Sequence, residues 1–275
     1  MDLTKNIEDF NLVILDLETT GLDVVTGDSI CEIGAFKVKN REVIDKFQSL
    51  VNPKRNMPIQ AYNIHKISQE ELKDAPYFED IADKFISFLG ESIIFAYNIK
   101  FDLSFLNNHL KKFNRPALEL PAVDILSMAR EVLNLSRYNL DATAKYFNID
   151  CSLGLHRASS DASIAYQVLI RLFDIFKEKG IEKLDDFISL YGLNDDIFKS
   201  KEEQKILILN KAIGKTLALS IKYFSSTNSL EEEEILPLRI VEEDRYPYLL
   251  YQSKGKGSSS IKLSHILKVE EPTSN

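Results

Sequence analysis

Asp16 and Glu18 stand two residues apart in "VILDLETTGLD", at the end of a run whose apolar residues read as a strand. Residues i and i+2 of a strand share a face, so both carboxylates point the same way. Burying one ionised group is costly and burying two side by side costs more, unless something cationic sits between them. The pair therefore points to a divalent metal. Asp102 follows the apolar run "SIIFAY" in "FAYNIKFDLSFL", so the carboxyl end of another strand delivers it to the rim of the sheet. His156 and Asp161 stand five apart in "LHRASSDASIAYQVL", across a helix start that Ser159 or Ser160 can cap, which puts Asp161 in the first turn. Together these residues offer four oxygen ligands with one histidine nearby.

The elements that must position them follow from periodicity. Three strand-like runs open the chain, "LVILDLE", "SICEIGAFKVK" and "REVIDKFQSLV", the last two joined at Asn40 as a hairpin. A loop is expected after "NPKRNMP", then a helix from about Tyr77 to Leu89, the buried strand "SIIFAY" and a helix from about Phe101 to Phe113. A short strand ending at Asp124 precedes helices near Ile125 to Leu133, Asn139 to Phe147 and Ser159 to Lys177. Strands paired locally and then alternating with helices indicate an α/β class, a mixed sheet flanked by helices. From Gly180 the chain becomes polar and is broken at Gly192, which reads as a helical connector. A helix from roughly Lys201 to Leu217 and the period-2 runs "LALSIKYFS", "EILPLRIVE", "YPYLLYQS" and "SIKLSHILKV" follow. The expected division is 1–179 for the α/β domain, 180–215 for the connector and 216–275 for a small β-rich domain.

Composition sets the outer bounds. The 275 residues are 44% hydrophobic and 28% charged, which suits one large or two ordinary domains. No apolar run approaches the length of a membrane span, and "MDLTKNIEDF" has no apolar signal region, so the cytoplasm and no membrane partner are expected. Cys31 and Cys151 read as free thiols, and there is no CxxC for zinc. The net charge of -8 by itself opposes a polyanionic partner, with 26 acids against 21 Lys plus Arg from Met1 to Gly180. Two divalent cations on four of those acids would bring that part close to neutral.

Residues from about Asn11 to Phe176 resemble a DnaQ-type exonuclease of the DEDD superfamily, which has a ribonuclease H-like fold. The resemblance rests on "DLETTGLD", "YNIKFDLSFL" and "HRASSDA", the last preceded by "YNLDATAKYFNI". The stretch "YNIHKISQEELKDAPYF" resembles the family's connector, with Lys66 where a glycine is common, and Tyr97 stands where a histidine is frequent. Members carry either His five residues before the last Asp or Tyr four residues before it. His at 156 and Arg at 157 mark the DEDDh arrangement. The resemblance implies two Mg²⁺ or Mn²⁺ ions, with Asp16 bridging them, Glu18 and Asp161 helping to hold the first, and Asp102 acting on the second. It implies that His156 takes the proton of the attacking water. It further implies 3′→5′ release of nucleoside 5′-monophosphates from single-stranded or frayed nucleic acid with a free 3′ end, DNA favoured over RNA. By analogy the backbone at Glu18 and Thr19 meets the terminal 3′ hydroxyl and Leu22 wedges against the last base. The alternatives are an exoribonuclease, or a regulatory nucleic-acid-binding protein with a vestigial nuclease fold. The intact set of carboxylates and His156 opposes the vestigial reading.

Other signals are assigned to structure. His65 is expected to order a loop and His109 to lie on a solvated helix face. Ser159, His156 and Asp161 crowd one helix start without hydrolase geometry, and no GxSxG is present. "GKT" at Gly214 to Thr216 reads as a helix end, and Glu231 to Glu234 as a solvated hairpin tip. The last 60 or so residues resemble a WYL domain, a small Sm-like β-barrel, through "IKYFS", "LPLRI", "YPYLLY" and "IKLSHI". Pro247 replaces the family's tryptophan, and Lys262 or His265 stands where arginines are usual. Tyr246, Tyr248 and Leu250 share one strand face and Tyr251 the other, so with Lys254, Lys256 and Lys262 nearby this domain could engage a nucleic-acid strand. Docking or oligomerisation is the alternative use.

Overall fold

A computed structural model describes residues 2–151, 156–193, 195–225, 229–243, 246–253 and 257–270, with backbone only for 195–202. They fall into two compact units, Lys5–Asp174 and Ile175–Asn275 with Met1–Thr4.

The first unit is built on a five-stranded mixed sheet in the order β3-β2-β1-β4-β5. Strand β1 (Leu12–Thr19) lies at its centre, antiparallel to β2 (Ile30–Lys39) and parallel to β4 (Ile93–Ala96), with β5 (Ala122–Asp124) parallel beyond. Val13, Ile14 and Leu15 are fully buried, as expected of a central strand covered on both faces. Strand β3 (Glu42–Leu50) returns from β2 through Asn40 and Arg41, both at positive φ, the backbone that a two-residue hairpin turn requires. Arg41 is held there by an ion pair to Glu8, a 2.6 Å bond to Asp174 and the Tyr166 hydroxyl, which donates to its carbonyl at 2.7 Å.

Between β3 and β4 run three helices, α1 (Ile59–His65), α2 (Gln69–Lys73) and α3 (Phe78–Leu89). The loop expected after "NPKRNMP" is thus partly helical. Ser68 and Glu71 form a capping box that starts α2, and Lys66 closes α1 at φ 60. That left-handed conformation is the reason a glycine suits position 66. Helix α4 (Ile99–Lys112) joins β4 to β5, and α5 (Ile125–Val132), α6 (Leu140–Tyr146) and α7 (Ala158–Glu178) follow. His109, expected on a solvated face, is only 4% exposed. Its ring lies edge-on to Phe78, and its two nitrogens meet Ser29 Oγ and the Phe105 carbonyl, each at 2.9 Å, which satisfies it without solvent.

The second unit holds α8 (Leu184–Tyr191), α9 (Asp195–Lys215) and an antiparallel five-stranded sheet in the order β10-β6-β7-β8-β9. Its strands are β6 (Leu219–Phe224), β7 (Leu230–Glu243), β8 (Tyr246–Ser253), β9 (Gly257–Lys262) and β10 (Ile266–Glu270). Leu209 and Ala212 of α9 pack with Leu219, Ile221, Leu249, Tyr251 and Ile266 to form its core. Helix α8 lies in the stretch read as a connector, yet it buries Leu184, Phe187 and Ile188, and the Phe187 ring meets Phe176 at 5.5 Å. The run "SIKLSHILKV" is two strands, because the 3-10 turn Leu263–His265 redirects the chain and lets β10 pair with β6. Glu231 to Glu234 lie within β7 paired to β6, not at a hairpin tip, and the Tyr223 hydroxyl is within hydrogen-bond distance of Glu231 and Glu233. Alternation lets a strand carry such a run by facing every second residue away from the core. Gly214 and Lys215 end α9 as expected, and Lys254 and Lys256 lie outside the described residues. Among the described residues no helix is long and apolar enough to cross a membrane.

Candidate active site

Strand β1 carries Asp16 and Glu18 on one face towards its carboxyl end, where the pairing with β2 slips by one residue between Glu18 and Thr19. The chain then turns on its own polar groups. Thr19 Oγ1 donates to the Gly21 carbonyl at 2.6 Å, and Thr20 Oγ1 donates to Asp28 at 3.2 Å. Both hydroxyls are engaged in shaping the turn. Leu22 projects from it with 85% of its surface exposed. Buried His65 accepts the Ile67 N–H at Nδ1, 3.0 Å away, and its Nε2 lies 3.8 Å from Cys31 Sγ. His65 therefore orders the loop between α1 and α2.

Asp102 enters from the parallel side of the sheet. Asn98, at φ 74, breaks the strand direction after β4, and α4 begins one residue later with Asp102 in its first turn, 3% exposed. Asp124 at the end of β5 holds that helix start by accepting the backbone N–H of Asn98 at 2.9 Å and of Ile99 at 3.3 Å.

His156 and Asp161 come from the start of α7. The serines expected to cap it, Ser159 and Ser160, lie inside its first turn. The cap comes instead from β2. Glu32, wholly buried, accepts the Ala158 N–H at 3.0 Å and takes Arg157 in a bidentate pair, Nε at 3.0 Å and a terminal nitrogen at 2.9 Å. Gly34, two residues on, is the strand partner of Asp16, and a Cβ there would lie 2.3 Å from the Ala158 carbonyl carbon and the Ser159 nitrogen. The absent side chain lets the helix backbone sit directly against the strand. His156 is exposed and sits at φ 70, with its N–H 3.2 Å from both carboxylate oxygens of Asp161. A non-glycine residue in that region costs on the order of 1–3 kcal/mol and persists where its surroundings over-determine it.

The structure brings one ligand atom each of Asp16, Glu18 and Asp161 within 4.8 Å of one another. Asp102 lies outside that closest trio but close enough for its charge to act on Asp16. Burial first, then Asp102, Glu18, Asp161 and Glu32, holds the Asp16 carboxyl well above the usual carboxylate range. Burial and then Asp161 and Glu32 push Glu18 up to about 8, against the pull of Arg157. Asp102 is raised by burial and by Asp124 and Glu18 against two backbone hydrogen bonds, and Asp161 by burial and Glu32 against the His156 N–H and charge. Without a cation each of these groups holds its proton to a higher pH than a free carboxylate does. An all-oxygen donor set under such mutual repulsion fits a hard divalent ion.

Sequence reasoning missed Glu32 and Asp124, which hold the helix starts that carry the candidate residues rather than standing among them. The signal for Glu32 was present, a lone glutamate inside the apolar run "SICEIGAF". Cys31 beside it is buried and free, and Cys151 is a partly exposed free thiol.

The exonuclease family matches residues 13–169 of this chain. Over 203 residues the chain is 38% identical to DNA polymerase III subunit epsilon of Rickettsia felis, covering 72% of this chain and 88% of that protein. It is 34% identical over 241 residues to DNA polymerase III PolC-type of Thermotoga maritima, covering 84% of this chain but only 17% of that longer protein. Among solved structures, Exonuclease X in complex with 5′ overhanging duplex DNA matches 60% of this chain and 92% of its own, with a TM-score of 0.50 and 26% identity. E. coli Exonuclease I in its complex with single-stranded DNA matches 96% of this chain and 65% of its own, with a TM-score of 0.58 and 14% identity. At that identity the likeness is one of fold, and it extends into the second unit.

Proposed function

Because this chain belongs to the exonuclease family and is a 3′→5′ exonuclease, we propose that it removes nucleotides singly from the 3′ end of single-stranded or frayed DNA, releasing nucleoside 5′-monophosphates. The observation that carries this reading is the meeting of Asp16, Glu18 and Asp161 within 4.8 Å, from elements far apart in sequence. Asp102 and exposed His156 stand beside them. Asp16, Glu18, Asp102 and Asp161 would hold two divalent ions, Mg²⁺ or Mn²⁺, which when bound polarise a phosphate oxygen and lower the pKa of a water.

The protein's own residues supply the rest. His156 accepts the proton of the attacking water, and its backbone bond to Asp161 keeps that base next to the carboxylates. The Glu18 and Thr19 backbone meets the terminal 3′ hydroxyl, and Leu22 offers an apolar surface against which the last base packs, a contact indifferent to sequence. The names of the relatives, subunits or chains of DNA polymerase III, support DNA over RNA. For the second unit we keep the WYL-like small-barrel reading, supported by a strand order in which the last strand returns beside the first. Engagement of the substrate strand is its proposed role, with docking or oligomerisation as the alternative.

The test uses the full chain with 5′-labelled DNA and RNA oligomers of matched sequence, with Mg²⁺ or with EDTA. The expected result is a ladder of DNA shortened from its 3′ end in Mg²⁺ and none in EDTA. Full activity in EDTA would sink the mechanism, internal cuts the end-specificity, and faster loss of RNA the preference for DNA.

A further inference from the structure

We propose that Glu32 and Arg157 form a positioning couple, which holds the backbone of residues 156–158 so that His156 keeps its place as the base. The inference rests on the reading of His156 given above.

Glu32 lies on β2 as the register partner of Glu18, one strand away from the candidate ligands. Its carboxylate is wholly buried and accepts Arg157 at 3.0 and 2.9 Å, Ala158 N–H at 3.0 Å and, more weakly, Gln48 at 3.4 Å. A charged group that deep is retained only if its hydrogen bonds are met, and here two of its partners are successive residues of one segment. The side chain of Arg157 spans both oxygens of this carboxylate, and the Ala158 N–H shares one of them. His156 comes immediately before them, at positive φ, with its N–H on Asp161. The segment is thereby held from two sides, by Glu32 after the histidine and by Asp161 from one turn into the helix.

The fork shape of the guanidinium matters to this arrangement. A planar bidentate pair fixes the orientation of Arg157, which a lysine's single ammonium would leave free to rotate. The pair also keeps Arg157 occupied. Its charge already reaches Glu18, so an Arg157 released from Glu32 would be free to swing towards the candidate metal ligands.

Glu32→Gln keeps the size of the side chain but sets an amide N–H₂ against one of its donors. The expected result is a fall in kcat of roughly 10–100-fold, the span typical when a group behind the reacting residues is lost, with KM for a short DNA oligomer changed less than about twofold. The effect should pass through the histidine. In a His156→Ala background, itself expected to be slower by roughly 10²–10⁴-fold, adding Glu32→Gln should cost less than about threefold. Arg157→Lys, at a half-buried position and keeping a positive charge opposite Glu32, should lower kcat in the same direction with the same dependence on His156. In the metal-free protein, amide exchange at His156 should quicken in Glu32→Gln while exchange in β1 and β4 stays as in the wild type.

A wild-type kcat in both Glu32→Gln and Arg157→Lys would overturn the couple. So would equal losses with and without His156, which would place their action on the fold or the carboxylates. A wild-type rate in His156→Ala alone would instead overturn the base assignment, and the two failures are told apart.

Discussion

Four carboxylates facing one another repel, and at the residue scale that repulsion makes opposite predictions for the empty and the loaded site. Asp16 is raised most plainly, by burial and by four acidic neighbours. Asp16→Asn should abolish cleavage in Mg²⁺, while the thermal midpoint in EDTA at pH 8 stays level or rises, because one member of a mutually repelling cluster has gone. An oligomer assay and a melt on the same preparation check both halves. A variant that still cleaves would remove Asp16 from the site. Glu18 allows the pH dependence to be worked out. Its folded pKa of about 8 lies above the ordinary value of roughly 4.3. Between those values the folded chain keeps a proton that the unfolded chain has released, so this group makes stability fall as pH rises through the window. Buried His65 and His109 are shifted down, chiefly by burial, and act in the opposite sense, so the measurement must isolate the carboxylate. Melts in EDTA at pH 5 and pH 8 should show wild type losing more stability with rising pH than Glu18→Gln. Identical pH slopes for the two proteins would contradict the shift.

At the scale of elements, the site depends on how closely helix α7 can approach strand β2. Gly34 is the contact, since an added methyl there would lie 2.3 Å from two backbone atoms of the helix start. Backbone cannot swing aside as the tip of a side chain can. Gly34→Ala should therefore displace the start of α7, at a cost of about 1–3 kcal/mol for overpacking. Asp161 and His156 ride on that start, so turnover should fall at least roughly tenfold even where the protein remains folded. Urea unfolding and kcat, measured together, test this, and an unchanged kcat would show that the helix start tolerates the shift. The same logic accounts for Asp124, which caps α4 from the end of β5 and so sets where Asp102 can stand.

At the scale of the whole molecule the question is how a chain of net charge -8 engages a polyanion. On the proposed reading, cations held by its carboxylates would bring the first unit close to neutral, so productive binding should depend on metal. The second unit offers a different surface. Tyr246 is 51% exposed with Lys262 Nζ 3.6 Å from its ring centre, and Tyr248 is the strand partner of Lys262. Leu249 and Tyr251 face the core, so the tyrosines at 246 and 248 lie on the other face of β8. Lys262→Ala in the full chain should weaken binding of a long single strand and reduce the slope of log affinity on log salt by about 1. Turnover of a short oligomer should stay unchanged. An unaltered salt slope would count against nucleic-acid engagement by this face and in favour of docking or oligomerisation.

What the sequence determined by itself was the chemistry and the order of elements. The two-residue period placed Asp16 and Glu18 on one strand face, and apolar runs of the right length marked the strands and helices that carry Asp102, His156 and Asp161. Local signals of this kind survive in one dimension because they depend on neighbours a few residues away. The capping box at Ser68 was equally local and was there to be read. The tertiary structure alone decided which distant groups complete those local ones. Glu32 caps a helix that begins 126 residues later, His109 is dry because Ser29 and Phe78 close over it, and Gly34 is a glycine because α7 needs its space. Each of these depends on a pairing between segments far apart in the chain, and such a pairing leaves no period and no spacing in the sequence. It exists only once the strands have fixed their register and a helix has packed against them.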